Sequence, residues 1–334
     1  MAIVISFLLA LLGAYLSTPL CRELAKRWGV MDQPGGRKVH RQSTPYLGGV
    51  AILVGILSGM GATWGAGGGA LFGPVMILAL GITLVGVVDD IWSIRPVVKL
   101  GGQLLIAGGT IMAGISVPSI AHPAGGQWIV GALHIPFAML WMVGMMNMIN
   151  LIDGLDGLAG GVSVISAICL GIVSIMGGNI PAGIMAVCIA GAGIGFLKYN
   201  TNPATIFMGD AGSLLLGYML SVVSMLGVFS STHTFSSAIP IIVLAIPILD
   251  TAFAIVRRLR RGQPIFSADK DHFHHQLLRS GYTVKQSVGV IYVISLALSL
   301  VGFGVGLGST PTGVWVILVV TVLCGGIRWG MTQG

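Results

Sequence analysis

Charge is what this chain has least of. Its 334 residues include 17 Lys and Arg and 10 Asp and Glu, so that 8% of the chain is charged, against about 25% in a soluble globular domain. Apolar residues make up 55%, and the mean hydropathy is +0.95. A soluble domain is excluded, and the apolar runs far exceed the ~10-residue alternating strands of an outer-membrane barrel. Cysteine is also scarce. Cys21, Cys169, Cys188 and Cys324 lie singly in apolar segments with no C-x-x-C pair, which excludes a thiolate metal knuckle and reads as packing. No G-x-x-x-x-G-K-[ST] occurs, which argues against an ATP-driven pump. Repeats, linkers and composition shifts are lacking too, so residues 1–334 read as one polytopic domain.

What is present is a succession of apolar runs. A span takes about 20 residues, which gives an all-α bundle of about eleven transmembrane helices (ten or eleven) starting near Ala2, Leu47, Leu71, Val98, Ile135, Leu158, Pro181, Gly212, Ser237, Lys285 and Gly313. Alternate connections, at 64–70, 117–134, 177–180, 229–236 and 307–312, hold no Lys, Arg, Asp or Glu. The longest of them, with Pro118 and Pro123, is expected to form a small hairpin, and its His122 and His134 read as ordinary loop residues. All charge falls in or beside the other set, at 22–46, 89–99, 150–157, 200–212 and 257–284, or, as Arg328, toward the C-terminus. Lys and Arg mark the cytoplasmic side. Gathering the carboxylates there as well predicts an active site in a cytoplasmic-face cleft, with the N-terminus outside and the C-terminus inside. The first run has no basic leader and no cleavage site, and is expected to be a retained span. The net charge of +7 lies on one face and suits anionic lipid headgroups or a phosphorylated substrate, not nucleic acid. The 52 glycines read mostly as close helix packing.

Several groups carry chemistry. Asp89 and Asp90 end the third run. Adjacent carboxylates at a helix C-terminus are electrostatically unfavourable, which suits a general base or a metal ligand. Asn147, Asn150, Asp153 and Asp156 recur every three residues. On a straight helix this row would drift about 60° per step, so a shared site requires a break, expected at Gly154 or Gly157. Asp210 sits between Gly209 and Gly212 at a helix start, as a Mg²⁺ ligand or a plain N-cap. Phe207 suits stacking on a base or a place at the membrane interface. The loop 257–284 brings Arg257, Arg258, Arg260 and Arg261 before His272, His274 and His275. Arginine forks match phosphate, although arginines alone also serve as membrane anchors. The histidines suit phosphate contact, proton transfer or zinc, and no Cys or H-E-x-x-H supports zinc. Lys38, His40, Arg95 and Lys99 serve equally as phosphate clamps or anchors. Asp250 reads as structural, orienting Arg257 seven residues on. Together these groups suggest phosphoryl transfer between a soluble and a lipid substrate.

Four pieces carry a resemblance: Val88-Asp89-Asp90; Asn147-x-x-Asn150-x-x-Asp153-Gly-Leu-Asp156-Gly-Leu; Phe207-Met-Gly-Asp210-x-Gly-Ser; and Asp269-Lys-x-His272-x-His274-His275. In this order they resemble the polyprenyl-phosphate N-acetylhexosamine-1-phosphate transferases. Asp32-x-Pro34-Gly-Gly-Arg37-Lys38-Val-His40 with Gly48-Gly49 is similar to the bacterial branch. The phospho-MurNAc-pentapeptide enzymes carry three consecutive histidines followed by Phe-Glu. His-Phe-His-His-Gln resembles instead the enzymes that start O-antigen, enterobacterial common antigen or teichoic acid synthesis. The resemblance implies undecaprenyl phosphate and UDP-GlcNAc as substrates, Mg²⁺ (or Mn²⁺) as cofactor, the bacterial plasma membrane as location and a homodimer as a family expectation. It implies that Asp210 and Asn150 hold the metal, and that Asp89 or Asp90 deprotonates or positions the lipid phosphate, or attacks covalently. It further implies that Asp153 and Asp156 contact the nucleotide or order the site, and that Phe207 stacks on uracil. Lys38, Lys99, Asn147, Arg260 and Arg261 would bind substrate, and His272, His274 and His275 would grip the diphosphate and sugar. Direct attack and double displacement both stay open, and adjacent acids beside a metal suffice for the direct route. The rival classes fit less well. A lipid-linked sugar flippase needs polar groups near mid-membrane and access from both sides. An intramembrane aspartyl protease carries Gly-x-Gly-Asp, where this chain has Phe-Met-Gly-Asp210.

Overall fold

The computed structural model describes residues 1–33, 43–65, 69–117, 119–121, 127–229, 237–264 and 271–307. The described residues are almost wholly helical. Long apolar runs without water leave the backbone no partner but itself, and the helix meets that demand within one segment. Among the described residues seven helices are long and apolar enough to cross a membrane: α1 (Ala2–Trp28), α3 (Gly69–Trp92), α5 (His134–Ile152, entered by a short 3₁₀ turn), α6 (Leu158–Met176), α7 (Ile180–Asn200), α8 (Gly209–Ser224, continued by a π-helical turn, Met225–Phe229) and α12 (Val284–Gly306). Two shorter apolar helices, α2 (Gly48–Ala62) and α4 (Pro96–Met112), lie among them. Leu20, Ile77, Leu105, Leu140 and Val293 point outward, each more than half exposed. A dense inside with an apolar outside is the architecture of a polytopic membrane protein.

The run expected from Ser237 is not one helix. It divides into α9 (Ala238–Val243) and α10 (Ala245–Arg260). Pro247 lacks the N–H that would bond to the carbonyl four residues back, at Val243, so the ladder is interrupted where the two helices meet. The expected hairpin in the long uncharged connection is present, as β3 (Ser119–Ala121) paired antiparallel with β4 (Gln127–Ile129). A second small hairpin pairs β1 (Met31–Asp32) with β2 (Thr44–Pro45). The short helix α11 (Phe273–Arg279) precedes α12. The run expected from Gly313, the C-terminus and Cys324 lie outside the described residues.

Helix α8 is the axis of the assembly. It packs against α2, α3, α5, α6 and α7, and every residue in it except Asp210 is buried. A helix apolar on all sides has no polar face to turn to water and can be enclosed by neighbours along its whole length. Its neighbours come unusually close at glycines. A Cβ on Gly49 of α2 or Gly86 of α3 would run into the α8 backbone at 210–212. The Gly86 contact brings the C-terminal end of α3, with its two acids, against the first turn of α8, and the Gly49 contact brings α2 there. Gly86→Val should therefore overpack the α3–α8 seam and cost about 1–3 kcal/mol. The check is thermal unfolding in detergent, where an unchanged melting temperature would mean that the seam is looser than described.

Candidate functional site

The C-terminal ends of α3, α5 and α7, the N-terminal ends of α8 and α12, the α5–α6 turn and α11 meet around one cavity of about 420 Å³. This volume lies within the usual range for small-molecule sites. Of the residues singled out in the sequence, Asp90, Asn150, Asp153, Asp156, Phe207, Asp210 and His275 line it.

The two acids of α3 have different partners. Asp90 accepts hydrogen bonds from the backbone N–H groups of Asp210 (2.8 Å) and Ala211 (3.2 Å). It thus caps the first turn of α8, whose orphan N–H groups and dipole favour a carboxylate. Gly209 permits this approach. Its φ is +67°, and a Cβ there would collide with the Asp90 carboxylate. Asp89 accepts from the Ile94 N–H (2.9 Å) and faces the Lys99 ammonium at 3.1 Å. The unfavourable acidic helix end is thus offset by a second helix N-terminus and a lysine.

Lys99 is the hub of the cluster. Its ammonium also pairs with Asp210 and donates to the Asn150 carbonyl oxygen at 3.4 Å. Asn150 in turn donates to Asp210 (2.7 Å) and Ser213 (2.9 Å). Asp89, Asp210 and Asn150 therefore aim three hard oxygens at one cationic point. Mg²⁺ uses this kind of donor set, one or two carboxylates completed by water and substrate phosphate. Among the described residues no group of three or more His, Cys, Asp or Glu side chains is arranged to hold a metal, so the zinc alternative for the histidines gains no support.

The row of Asn and Asp breaks where a shared site requires it. α5 ends at Ile152, α6 begins at Leu158, and Gly157 has φ +81°. The turn between them is stitched to the loop after α7. Asp156 accepts from the Asn202 side chain (2.8 Å) and the Ala204 N–H (3.0 Å). Asn200 accepts from the Gly157 N–H (3.0 Å) and donates to the Ile206 carbonyl (3.0 Å). Tyr292 of α12 donates to the Gly157 carbonyl at 2.5 Å. Asp153 is left facing the cavity. Burial, and then the charges of Asp210, Asp90 and Asp156, push its carboxyl up to about 8.

The backbone of Phe207 is tied to the segment leading into α2. Its N–H donates to the Pro45 carbonyl (2.9 Å) and its carbonyl accepts from Gly48 (3.0 Å). Tyr46, beside Pro45, lies 6.2 Å from the Phe207 ring, centroid to centroid. Burial first, and then the hydrogen-bonded Asp32, push the Tyr46 phenol well above its ordinary range. Asp32 and Tyr46 both line the cavity, and the sequence reading assigned neither. The available signal was that Asp32 opens the N-terminal motif and that this connection belongs to the charged set.

Other expected site residues stand elsewhere. Asn147 exchanges hydrogen bonds with Gln103 (2.7 and 3.3 Å) and donates to the Val143 carbonyl. It joins α4 to α5 and does not line the cavity. Arg260 and Arg261 are exposed, and Arg261 pairs with Asp271 at 3.2 Å. His272 and His274 are buried behind His275. Burial first, and then the neighbouring His275, bring the His274 imidazole down to about 3. Asp250 is structural, as expected, through a partner other than Arg257. It binds His272 and the start of α11, a partner 22 residues on that helical periodicity cannot show. Lys38 and His40 lie outside the described residues.

With the geometry in hand, comparison with known proteins gives the class. Residues 72–228 match the model of glycosyl transferase family 4, and the chain belongs to that family. It is 37% identical, over 89% of its length and 83% of the relative's, to the probable undecaprenyl-phosphate N-acetylglucosaminyl 1-phosphate transferase of Bacillus subtilis (strain 168). It is 31% identical to the decaprenyl-phosphate N-acetylglucosaminephosphotransferase of Mycolicibacterium smegmatis, over 94% and 86% of the two chains. It is 27% identical to the undecaprenyl-phosphate alpha-N-acetylglucosaminyl 1-phosphate transferase of Escherichia coli O157:H7, over 94% and 87%. The matched segment contains every acid of the cluster around Lys99. Asp32, Tyr46 and the histidines lie outside it.

The raised Asp153 carboxyl gives a test of the site's electrostatics. Its ordinary value is 3.8 and its folded value about 8, so folding favours the protonated form. That contribution is complete below about pH 4 and is lost as the pH rises to about 8. Without substrate, Asp153→Asn should match the wild-type melting temperature near pH 4 and exceed it increasingly toward pH 8. A difference that stays constant over this interval would contradict the description.

Proposed function

We propose that the protein transfers GlcNAc-1-phosphate from UDP-GlcNAc to undecaprenyl phosphate, releasing UMP, as the first membrane step of a cell-surface polysaccharide. The observation that carries this reading is the convergence of Asp89, Asp210 and Asn150 on a single cationic point at the edge of the cavity, in a chain of this family. In the reaction an oxygen of the lipid phosphate attacks the sugar-bearing phosphorus of the donor. A new phosphorus–oxygen bond forms as the bond to UMP breaks. One diphosphate replaces another, so no external energy is needed.

Asp90 is the acid of the α3 pair that faces the cavity. In this reading it accepts the lipid phosphate's proton or positions the attacking oxygen. Asp89 keeps Lys99 in place, and Lys99 offers positive charge to the donor diphosphate. Asp210 and the Asn150 carbonyl oxygen would hold Mg²⁺, and a bound Mg²⁺ would neutralise charge on the diphosphate. Phe207 stacks on the uracil, and His275 contacts the phosphate or the sugar. Asp156, whose carboxylate is engaged by Asn202 and Ala204, orders the loop that carries Phe207. Exposed Arg260 and Arg261 serve the approach of an anionic donor. In the same reading residues 1–334 form one domain in the bacterial plasma membrane. α2, α4, the α9–α10 pair and a last crossing near residue 313 complete about eleven spans, with the cavity opening to the cytoplasm.

The test is UMP release by purified protein in detergent, with undecaprenyl phosphate and Mg²⁺, offering UDP-GlcNAc, UDP-GalNAc and UDP-MurNAc-pentapeptide in parallel. Release from UDP-GlcNAc alone is expected. Release only from the pentapeptide substrate would overturn the choice of sugar, and none from any donor would overturn the transferase reading. Asp210→Asn should abolish Mg²⁺-dependent turnover while the protein still elutes as a folded species. Full activity in that variant would remove Asp210 from the metal site.

A further inference from the structure

The cavity shows one histidine of the His-Phe-His-His motif, and the other two are buried behind it. Something must hold this arrangement, because α11 has seven residues and a helix that short is not stable by itself in water. Its exposed anchors are weak candidates. Asp271 pairs with Arg261 (3.2 Å) and Arg279 (2.7 Å), whose side chains are 54% and 60% exposed, and surface ion pairs of this kind contribute at most about 1 kcal/mol.

The buried anchor is Asp250 on α10. One carboxylate oxygen accepts from His272 Nδ1 at 2.8 Å, and the other accepts from the Phe273 N–H at 2.8 Å. Asp250 and His272 are 6% and 5% exposed, so breaking this pair would leave a buried charge without its partners, at far greater cost than losing a surface pair. From His272 the order passes on through the rings. His272 and His274 are parallel, with centroids 5.8 Å apart, and His274 and His275 lie at 4.2 Å. His274 is wedged against the turn that carries the site acids, since a Cβ at Gly154 would strike its ring.

We infer that Asp250, which does not line the cavity, is a positioning residue that seats the histidine motif and so sets where His275 stands at the cavity wall. The consequence for turnover rests on the transferase reading, whereas the seating does not.

The experiment compares Asp250→Ala and Asp250→Asn with wild type, each also in a His275→Ala background. Amide hydrogen exchange of residues 273–279 is read without substrate. The turnover number and the KM for UDP-GlcNAc are read by UMP release. Asp250→Ala should expose the α11 amides to faster exchange. Asp250→Asn keeps an acceptor for the Phe273 N–H but turns a donor toward His272. It should keep α11 protected and still lower the turnover number by about tenfold, the scale on which groups orienting functional imidazoles act. In the His275→Ala background neither change should cost anything further, since both act through that residue. Costs that multiply across the two backgrounds would overturn the inference, as would wild-type exchange together with wild-type turnover in Asp250→Ala. If Asp250→Ala does not fold, Asp250→Asn and its double variant decide. If the wild type itself releases no UMP, the transferase reading falls, and α11 exchange alone judges Asp250.

Discussion

The structure depends on how four carboxylates are kept together at the end of an apolar bundle. Asp89, Asp90, Asp153 and Asp210 repel one another, and the surrounding helices supply little water to screen them. Lys99 offsets part of this repulsion by pairing with Asp89 and Asp210. The first turn of α8 offsets another part through the N–H groups that Asp90 accepts. Both compensations require α3, α4 and α8 to meet at one point, and the close approaches at Gly49 and Gly86 make that meeting sterically open. Among the described residues no cation pairs with Asp153, and its raised carboxyl favours the protonated form. Among the described residues this cluster holds four carboxylates and one lysine, a balance that suits a divalent ion and an anionic substrate.

Around that cluster, the connecting segments act as walls that brace one another. The α5–α6 turn and the α7–α8 loop exchange bonds through Asp156, Asn200 and Asn202. The N-terminal hairpin is zipped to Phe207 and Met208 through Pro45, Gly48 and Gly49. The histidine helix is seated from behind by Asp250. Every wall comes from a different part of the chain, and each is held by buried hydrogen bonds, whose loss is costly.

Much of this was legible in the sequence because ionisable residues are expensive in an apolar chain, and their positions therefore carry meaning. Asp89-Asp90, the three-residue spacing from Asn147 to Asp156, and Asp210 between glycines were all visible on that ground. The break before α6 followed from helix geometry. Asn147 shows the limit, since the periodicity that includes it cannot tell a cavity-facing amide from one bonded to Gln103. The partners of Asp250 and the place of Tyr46 at the cavity were hidden because tertiary closure creates them. Tyr46 meets Phe207 across nearly half the length of the chain, and no local pattern encodes that contact. The division of α9 from α10 was readable from Pro247, but the high apolarity of the run masked it.

The central claim is that the Lys99 cluster is a divalent-metal site that acts on the donor diphosphate. Its most direct test is electron–nuclear double resonance on the protein with Mn²⁺ in place of Mg²⁺ and UDP-GlcNAc bound. The account predicts phosphorus coupling to the metal, dependent on both protein and donor. A protein-bound Mn²⁺ with no phosphorus coupling, in a sample where the donor is bound, would contradict it.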